Sequence, residues 1–407
     1  MRIIHTADWH IGQSLNGWGR DDEHRAWFRE LTETLSREQA DALLVSGDVF
    51  DNLNPSGESQ RLLYDAIRDF REARPNLQII MTSGNHDPAG RLEAPDALLR
   101  AHGVRVVGTV RRQGEEILYP DHLIRLRNAD GADAVIVAAV PFLRASDLPG
   151  MSLARTGEGE SPIVTAVRNW HSEIISAASG SGLPLIGMGH LTCTGGLETE
   201  GSERRIMIGG EHAVSPDVFG PEFLFVALGH LHMPQLIDGG RIGYSGSCFP
   251  MSVSEAGYRH GVRLIEIEDG AIRTSHIQMT RPAAFIRFPE NGHAGVLEEL
   301  AGALDAAELD PDLPHGMRPF LHLRLAADRA AASLLSEAHQ VIAGYPVRLA
   351  DIRIVRVSRD EAQAAPRPAS LRETSPEMLF VEEFRRINMT DPEERHMAAF
   401  RDAVAEV

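Results

Sequence analysis

The stretch FVALGHLHMPQ, Phe225 to Gln235, runs apolar residues into a glycine and then places two histidines one residue apart. In an extended chain, residues i and i+2 point to the same side. If extended geometry persists past Gly229, His230 and His232 face one space. The pattern indicates either a metal site or a coincidence of surface composition, and the choice depends on the rest of the chain.

The length of 407 residues allows a large core and predicts two or more domains. No apolar run approaches the roughly 20 residues that cross a bilayer. The start MRIIHTADWH lacks the layout of a signal peptide. Cys193 and Cys248 stand alone rather than in pairs. We therefore expect a cytoplasmic protein with no membrane association and no disulfide.

The net charge of −18 argues against nonspecific nucleic-acid binding by the chain as a whole, and it also favours solubility. All 40 basic residues are arginine, because the sequence contains no lysine. A lysine Schiff base and a standard P-loop are therefore excluded. Any dependence on ATP would have to come from another chain.

The first two-thirds of the chain alternate apolar strands with amphipathic helices, which is typical of a layered α/β architecture. Helices are predicted around Trp27 to Leu35 and Leu62 to Phe70. The predicted strands are Arg2–Thr6, Ala42–Ser46, Gln78–Thr82, Ala134–Ala139, Pro184–Met188 and Leu224–Leu228.

A second unit begins around Pro282, where the strand FLHLRL, a helix at Ala330–Ala343 and the strand VRLADIRIVRV form a small β-α-β unit. A linker rich in Pro and Ala follows. Two terminal helices start at Ser375 and Asp391, each before a proline. Their apolar faces fit either a partner's groove or their own domain. The predicted domains are 1–280, 281–358, the linker 359–373 and the helical segment 374–407.

Five apolar strands end directly before a carboxylate, amide or imidazole. The carboxyl ends of strands meet at one edge in α/β sheets, so these groups can converge. Each pattern alone is weak, since Gly-Asn-His is also an ordinary turn. Their joint occurrence indicates a metal site. The candidate residues are Asp8, His10, Asp48, Asn85, His86, His190, His230 and His232.

The order D-x-H, G-D, G-N-H-D, G-H and G-H-x-H resembles the calcineurin-like metallophosphoesterase superfamily. The resemblance implies an αββα fold, a layered β-sandwich flanked by helices, with a small α+β capping domain and C-terminal helices. It also implies two divalent ions that share the carboxylate of Asp48. The implied ligands are Asp8, His10 and His232 for one ion, and Asn85, His190 and His230 for the other.

The mixture of imidazole and oxygen donors favours Mn²⁺, Fe or Zn over Mg²⁺. Two ions about 3.5–4 Å apart can clamp phosphoryl oxygens during an in-line displacement. His86 then lies outside the ligand set as a catalytic residue that stabilises the transition state or protonates the leaving oxygen. The alternative is that His86 only hydrogen-bonds to the ligands.

Further segments, among them SGDVFD, GYSGSCFPMSVSEAG and YPVRLADIRIVRVSRDEAQ, are similar to the bacterial SbcD family over nearly the whole chain. The resemblance implies a Mn²⁺-dependent double-strand exonuclease and hairpin or single-strand endonuclease acting on DNA in repair. It implies an SbcC-type ATPase partner and a homodimer of nuclease subunits within a heterotetramer. The capping domain would hold DNA, and the terminal helices would dock on the partner.

Two other interpretations remain open at this point: a phosphodiesterase or phosphatase for small substrates, and a scaffold without activity. The loop GQSLNGWGRDD matches the family only loosely. Trp18 or Arg20 could contact DNA there, or the loop could simply be solvated.

Overall fold

The computed structural model describes residues 1–148, 162–199, 213–290 and 293–355, together with 380, 384, 392, 396, 397 and 400. The chain divides into two compact units, Met1–Val355 and Arg356–Val407. The predicted linker 359–373 and the predicted helix starts at Ser375 and Asp391 lie outside the described residues. Within the described part, no helix is both long and apolar enough to span a bilayer.

The first large sheet has six strands, and its centre is built from the parallel strands that the sequence predicts. Two helices, Asp21–Arg37 and Gly57–Ala73, bury their apolar faces against it. Trp9 lies in this core in edge-to-face contact with Phe28, with ring centroids 4.9 Å apart. The strands, in spatial order, are Ala271–Gln278, Gly261–Glu268, Arg2–Thr6, Ala42–Ser46, Gln78–Thr82 and Val104–Val107.

The second large sheet packs face to face with the first through a layer of aliphatic side chains from both. The helix Pro162–Ala178 covers its outer face. The predicted αββα sandwich is therefore confirmed. The strands of this sheet, in order, are Gln235–Ile237, Ile242–Tyr244, Phe223–Gly229, Leu185–His190, Asp133–Ala139 and Leu123–Arg127.

A third, smaller sheet is formed by the parallel strands Phe285–Phe288, Phe320–Ala326 and Arg348–Val355. Helices Leu300–Ala306 and Ala331–Ile342 pack on one of its faces through a leucine-rich core. We call this three-stranded sheet with its two helices the small module. The sequence predicts its second and third strands and the longer helix, but not the first strand, which is only four residues long.

Short elements complete the described part of the chain. The buried cysteines Cys193 and Cys248 are free thiols, as expected, and burial raises the pKa of Cys193 to about 12. The remaining strands and α-helices are Ser14–Leu15, Trp18–Gly19, Arg112–Gln113, Glu116–Ile117, Ala89–Glu93 and Asp96–Arg100.

A buried ion network joins the small module to the first helix. Glu23 lies 2.6 Å from Arg20 and 3.1 Å from Arg348, and all three side chains are almost fully buried. The guanidinium of Arg348 stacks over Phe320 at 3.8 Å. The suggestion that Arg20 contacts DNA is therefore wrong, because its guanidinium is buried and paired with Glu23. Trp18 donates its indole N–H to the Leu349 carbonyl at 2.7 Å. This hydrogen bond also connects the N-terminal part of the chain to the small module.

Replacing Glu23 with Ala should destabilise the protein by about 3–5 kcal/mol, because two buried guanidiniums lose their shared carboxylate. Urea denaturation followed by circular dichroism measures this. Glu33→Ala, at an exposed position on the same helix, is the matched control and should change stability by less than about 0.5 kcal/mol. Equal effects of the two substitutions would show that the network does not hold the junction.

Candidate metal centre

The structure brings the eight candidate side chains together at one rim of the sandwich. Five of them follow the carboxyl ends of three strands of the first sheet, and three come from neighbouring strands of the second. Each strand end is in register with its neighbour, so the polar residues that follow emerge side by side. The first-sheet residues are Asp8, His10, Asp48, Asn85 and His86, and the second-sheet residues are His190, His230 and His232.

Three sets of three side chains have donor atoms that all lie within 4.8 Å of one another. Two of these sets match the histidine and carboxylate members of the predicted groupings around two ions. The Asn85 side-chain oxygen lies 3.0 Å from Nε2 of His190, which places this amide beside the second set. The sets are Asp8, His10 and His232; Asp48, His190 and His230; and His10, Asp48 and His86.

The donor atoms face each other at short distances, so that a proton or a cation has to lie between them. Nε2 of His10 lies 3.2 Å from Nε2 of His232. Nε2 of His190 lies 3.4 Å from an Asp48 oxygen. Two imidazole lone pairs cannot face each other this closely unless a proton or cation lies between them. This buried set of nitrogen and carboxylate donors therefore fits a pair of divalent ions of the Mn²⁺, Fe or Zn type.

Strained backbone at the strand ends creates this convergence. Asp8, His10 and Asp48 have φ of 51°, 48° and 49°, and His230 has φ of 99°, in the left-handed region that residues other than glycine rarely adopt. The strand thus ends at Gly229, and extended geometry does not persist through His230, so the condition under which His230 and His232 would face one space as neighbours on a strand is not met. The His230 amide instead donates to both oxygens of Asp8, at 3.0 and 3.1 Å.

Two of the glycines that precede candidate ligands lie where neighbouring atoms leave no room for a side chain. A Cβ at Gly84 would lie 2.1 Å from an oxygen of Asp48. A Cβ at Gly229 would lie 1.9 Å from the Ser46 carbonyl oxygen. Neither position accepts a larger residue without moving the backbone that carries the site, which explains why glycine precedes the polar residues.

A buried carboxylate that sequence reasoning missed ties two site loops together. Asp87 accepts hydrogen bonds from the amides of Val49, Phe50 and Gly84 at 2.8–3.1 Å. Burial, and then the negative charge of Asp48, raise the pKa of Asp87 to about 6. In the sequence, Asp87 ends the motif GNHD, and no local pattern shows whether it is a metal ligand, a turn residue or a support for the loops.

Glu255 is a second residue that the sequence does not identify. This fully buried glutamate accepts from Nδ1 of His232 at 2.8 Å. Its other oxygen accepts from the Met251 amide at 2.9 Å and the Ser247 hydroxyl at 3.3 Å. Because the proton is held on Nδ1, the lone pair of His232 lies on Nε2, the atom that would bind a metal ion.

The carboxylates around His190 attract positive charge to its ring. Burial lowers the pKa of His190, but the carboxylates of Asp48 and Asp8 outweigh it and raise the value to about 9. Burial in turn raises the pKa of Asp48, and the imidazoles of His190 and His10 outweigh that and hold it below its ordinary value. A bound divalent ion would displace the proton of His190 and supply the charge itself.

His86 is oriented by its own backbone and by a neighbouring loop. Its amide donates to Asp48 at 2.9 Å, and its Nδ1 lies 2.7 Å from the Asp51 carbonyl oxygen. The ring stands edge-on to His10, with centroids 4.8 Å apart. With Nδ1 donating to the carbonyl, Nε2 is the atom that can exchange a proton with a substrate.

Glu255→Gln should weaken divalent-metal binding about tenfold, at the lower end of the 10–100-fold range for such partners. Glutamine can still accept from His232 but carries no charge. Calorimetric titration with Mn²⁺ measures the affinity. Glu268→Gln, at a glutamate that is 74% exposed, is the matched control and should bind as the wild type does. An unchanged affinity in Glu255→Gln would exclude a role in positioning His232.

Comparisons with known proteins agree with this geometry. The family model for the calcineurin-like phosphoesterases matches residues 1–234. A second model, described as the type 5 capsule protein repressor C-terminal domain, matches residues 282–388.

The chain is also similar to bacterial proteins named as the SbcD subunit of the SbcCD nuclease. The protein from Rhodobacter capsulatus is 52% identical over 94% of both chains. The Escherichia coli K12 protein is 26% identical over 93% of this chain and 92% of its own length. The Bacillus subtilis protein is 31% identical over 66% of this chain and 67% of its own. The chain therefore belongs to the calcineurin-like phosphoesterase family, within the group of SbcD nuclease subunits.

Proposed function

We propose that this chain is a divalent-metal-dependent nuclease that hydrolyses phosphodiester bonds of DNA during end processing and repair. The observation that carries the proposal is the convergence of buried imidazoles and carboxylates from both sheets on one rim. Relatives that match nearly the whole chain and are named as nuclease subunits support DNA as the substrate. The expected activities are double-strand exonuclease and hairpin or single-strand endonuclease.

In this proposal, the carboxylate of Asp48 would be shared by both ions, most suitably Mn²⁺. When bound, the two ions activate a water and neutralise the phosphoryl oxygens. The chain's own task is to hold the donors in place before the substrate arrives. The ligands are Asp8, His10 and His232 on one side, and Asn85, His190 and His230 on the other.

His86 is the proposed catalytic residue. Its hydrogen bond to the Asp51 carbonyl fixes the ring, so Nε2 is the atom that can stabilise the phosphoryl oxygens or pass a proton to the leaving oxygen. His86 also lies in one of the three-residue sets with His10 and Asp48. Measuring both the bound metal and the turnover of a His86 variant distinguishes a metal ligand from a proton donor.

The proposed partner is an SbcC-type ATPase, as the names of the relatives suggest. A chain with a net charge of −18 and no lysine gains a nucleotide-binding loop and positive surface from such a partner. In the proposed division of the chain, 1–280 carries the nuclease site, 281–358 is the capping domain that positions DNA, and 359–373 is a linker. The segment 374–407 would dock on the ATPase.

The proposal includes a homodimer of nuclease subunits within a heterotetramer, and one candidate surface for it mixes apolar and charged side chains. Tyr64, Ile67 and Leu99 line one open cavity of about 530 Å³ there. Leu98, beside it in the chain, is 75% exposed. Arg68, Arg71, Glu72 and His102 line the same cavity, so the surface is amphipathic.

The test of this function uses the full chain with its ATPase partner and Mn²⁺, with duplex DNA as the substrate. The wild type should cut DNA. Asp48→Ala should lose both bound metal and cutting, whereas His86→Ala should keep its metal and lose about 10²–10⁴-fold in turnover. Elemental analysis of bound metal alongside the cleavage assay separates the two effects.

Bis-p-nitrophenyl phosphate, assayed in parallel, distinguishes the substrate class. Efficient hydrolysis of this small ester without cutting of duplex DNA would replace the nuclease by a small-substrate phosphodiesterase. Equal loss of metal in Asp48→Ala and His86→Ala would make His86 a ligand and remove its catalytic role.

A further inference from the structure

The small module has a charged face opposite its helices. Across the three strands, Arg287 pairs with His322, His322 pairs with Asp351, and Arg324 pairs with Arg353. Residues that pair directly, or that lie two apart on one strand, share a face of the sheet. These five side chains line one cavity of about 160 Å³.

His322 is a buried polar group in this cavity with an unsatisfied ring nitrogen. The side chain is 8% exposed, and its Nε2 makes no hydrogen bond within the part of the chain that the structure describes. Phe285 stacks on the ring nearly in parallel, with centroids 5.8 Å apart, and so fixes its orientation. A buried ring nitrogen without a partner is costly unless something binds it.

The charges around His322 favour an anion. Arg287, Arg324 and Arg353 all line the cavity. Asp351 is the one carboxylate among the described residues that line it, and it is paired with Nε of Arg353 at 2.8 Å. Arg353 balances Asp351, and Arg287 adds a guanidinium that donates to a neutral carbonyl, so this part of the face is positive in a chain whose overall charge is −18. Burial, partly offset by Asp351, lowers the pKa of His322 to about 4. The neutral ring can therefore offer an N–H without adding charge.

The size of the cavity indicates how much of a ligand it holds. Pockets that enclose whole drug-sized ligands begin at roughly 300 Å³. The cavity of about 160 Å³ is smaller, so it suits one compact group with its waters rather than a nucleotide. Guanidiniums match a tetrahedral phosphoryl group because their forked N–H pairs bind two of its oxygens.

We propose that this cavity, lined by His322, Arg287 and Arg353, binds a single backbone phosphate of a DNA strand that leads to the metal centre. The inference rests on the proposed nuclease function and adds a specific contact to it.

One turn of the chain, Val253–Gly257, links this cavity to the metal centre. Val253 lines the cavity, and its carbonyl accepts from Arg287 at 2.6 Å. Two residues further along the same turn, Glu255 holds His232. A strand anchored at the cavity therefore lies beside the turn that positions a proposed metal ligand. This continuity favours a strand phosphate over a free phosphate ion as the occupant.

The test is DNA binding by the full chain, measured by fluorescence anisotropy of a labelled short duplex in a chelator so that no cleavage occurs. Arg353→Gln should weaken binding about five- to tenfold and reduce the slope of log K against log salt by about 1. His322→Phe, which keeps the ring that stacks on Phe285, should weaken binding several-fold and leave the salt slope unchanged.

Arg273→Gln is the matched control. Arg273 is also an exposed, carboxylate-paired strand arginine, 3.1 Å from Glu268, but it lies in the first large sheet. It should bind DNA as the wild type does, and all variants should unfold at the wild-type temperature. Titration with inorganic phosphate in the same buffer tests the free ion as the occupant.

Unchanged DNA affinity in both Arg353→Gln and His322→Phe would overturn the inference. Loss of inorganic phosphate binding in these variants, with DNA affinity intact, would also overturn it, because the occupant would then be a free ion. Either result leaves the nuclease proposal standing if the wild type cuts DNA with its partner and Mn²⁺. A wild type that cannot cut DNA refutes the nuclease proposal instead.

Discussion

The burial of two carboxylates side by side is the constraint on which the rest of the structure depends. Asp8 and Asp48 are 0% and 2% exposed, and the ring of His190 lies within 4.0 Å of both. Buried charges of one sign are strongly unfavourable unless cations or hydrogen-bond donors compensate them. The imidazoles around them supply part of this compensation, and burial keeps the site in a low dielectric where a divalent ion binds strongly. The site is thus built for positive charge before any metal is considered.

The protein holds this unfavourable arrangement through its backbone. Left-handed conformations at Asp8 and Asp48 turn the chain sharply at the ends of two parallel strands. Glycines allow neighbouring segments to approach where any Cβ would collide. Strain of this kind costs roughly 1–3 kcal/mol per residue and persists only where surrounding structure enforces it. Here the enforcing structure is the face-to-face pair of sheets, because each sheet contributes some of the donors. Asp87 holds two of the loops that follow the strands, and Glu255 fixes the orientation of the His232 ring.

Much of this could be predicted from the sequence, for physical reasons that differ by element. Strands Arg2–Thr6, Ala42–Ser46 and Gln78–Thr82 have the predicted bounds, because short apolar runs between polar residues leave little choice of register. The site residues stood out because they follow strands. Glu255, in contrast, reaches His232 only after two distant loops fold together, and nothing local distinguishes it from a surface glutamate. The same holds for His322, since the arginines that face it come largely from other strands.

The most direct test of the central claim is the position of metal in a crystal soaked with Mn²⁺. Anomalous diffraction at the manganese edge should place two ions on either side of Asp48, one near Nε2 of His232 and one near Nε2 of His190. Two such peaks are the result that the account predicts from the buried carboxylates and the facing imidazoles. A structure in which Mn²⁺ occupies neither position would contradict the account, if Nε2 of His232 still contacted His10 and Nε2 of His190 still contacted Asn85.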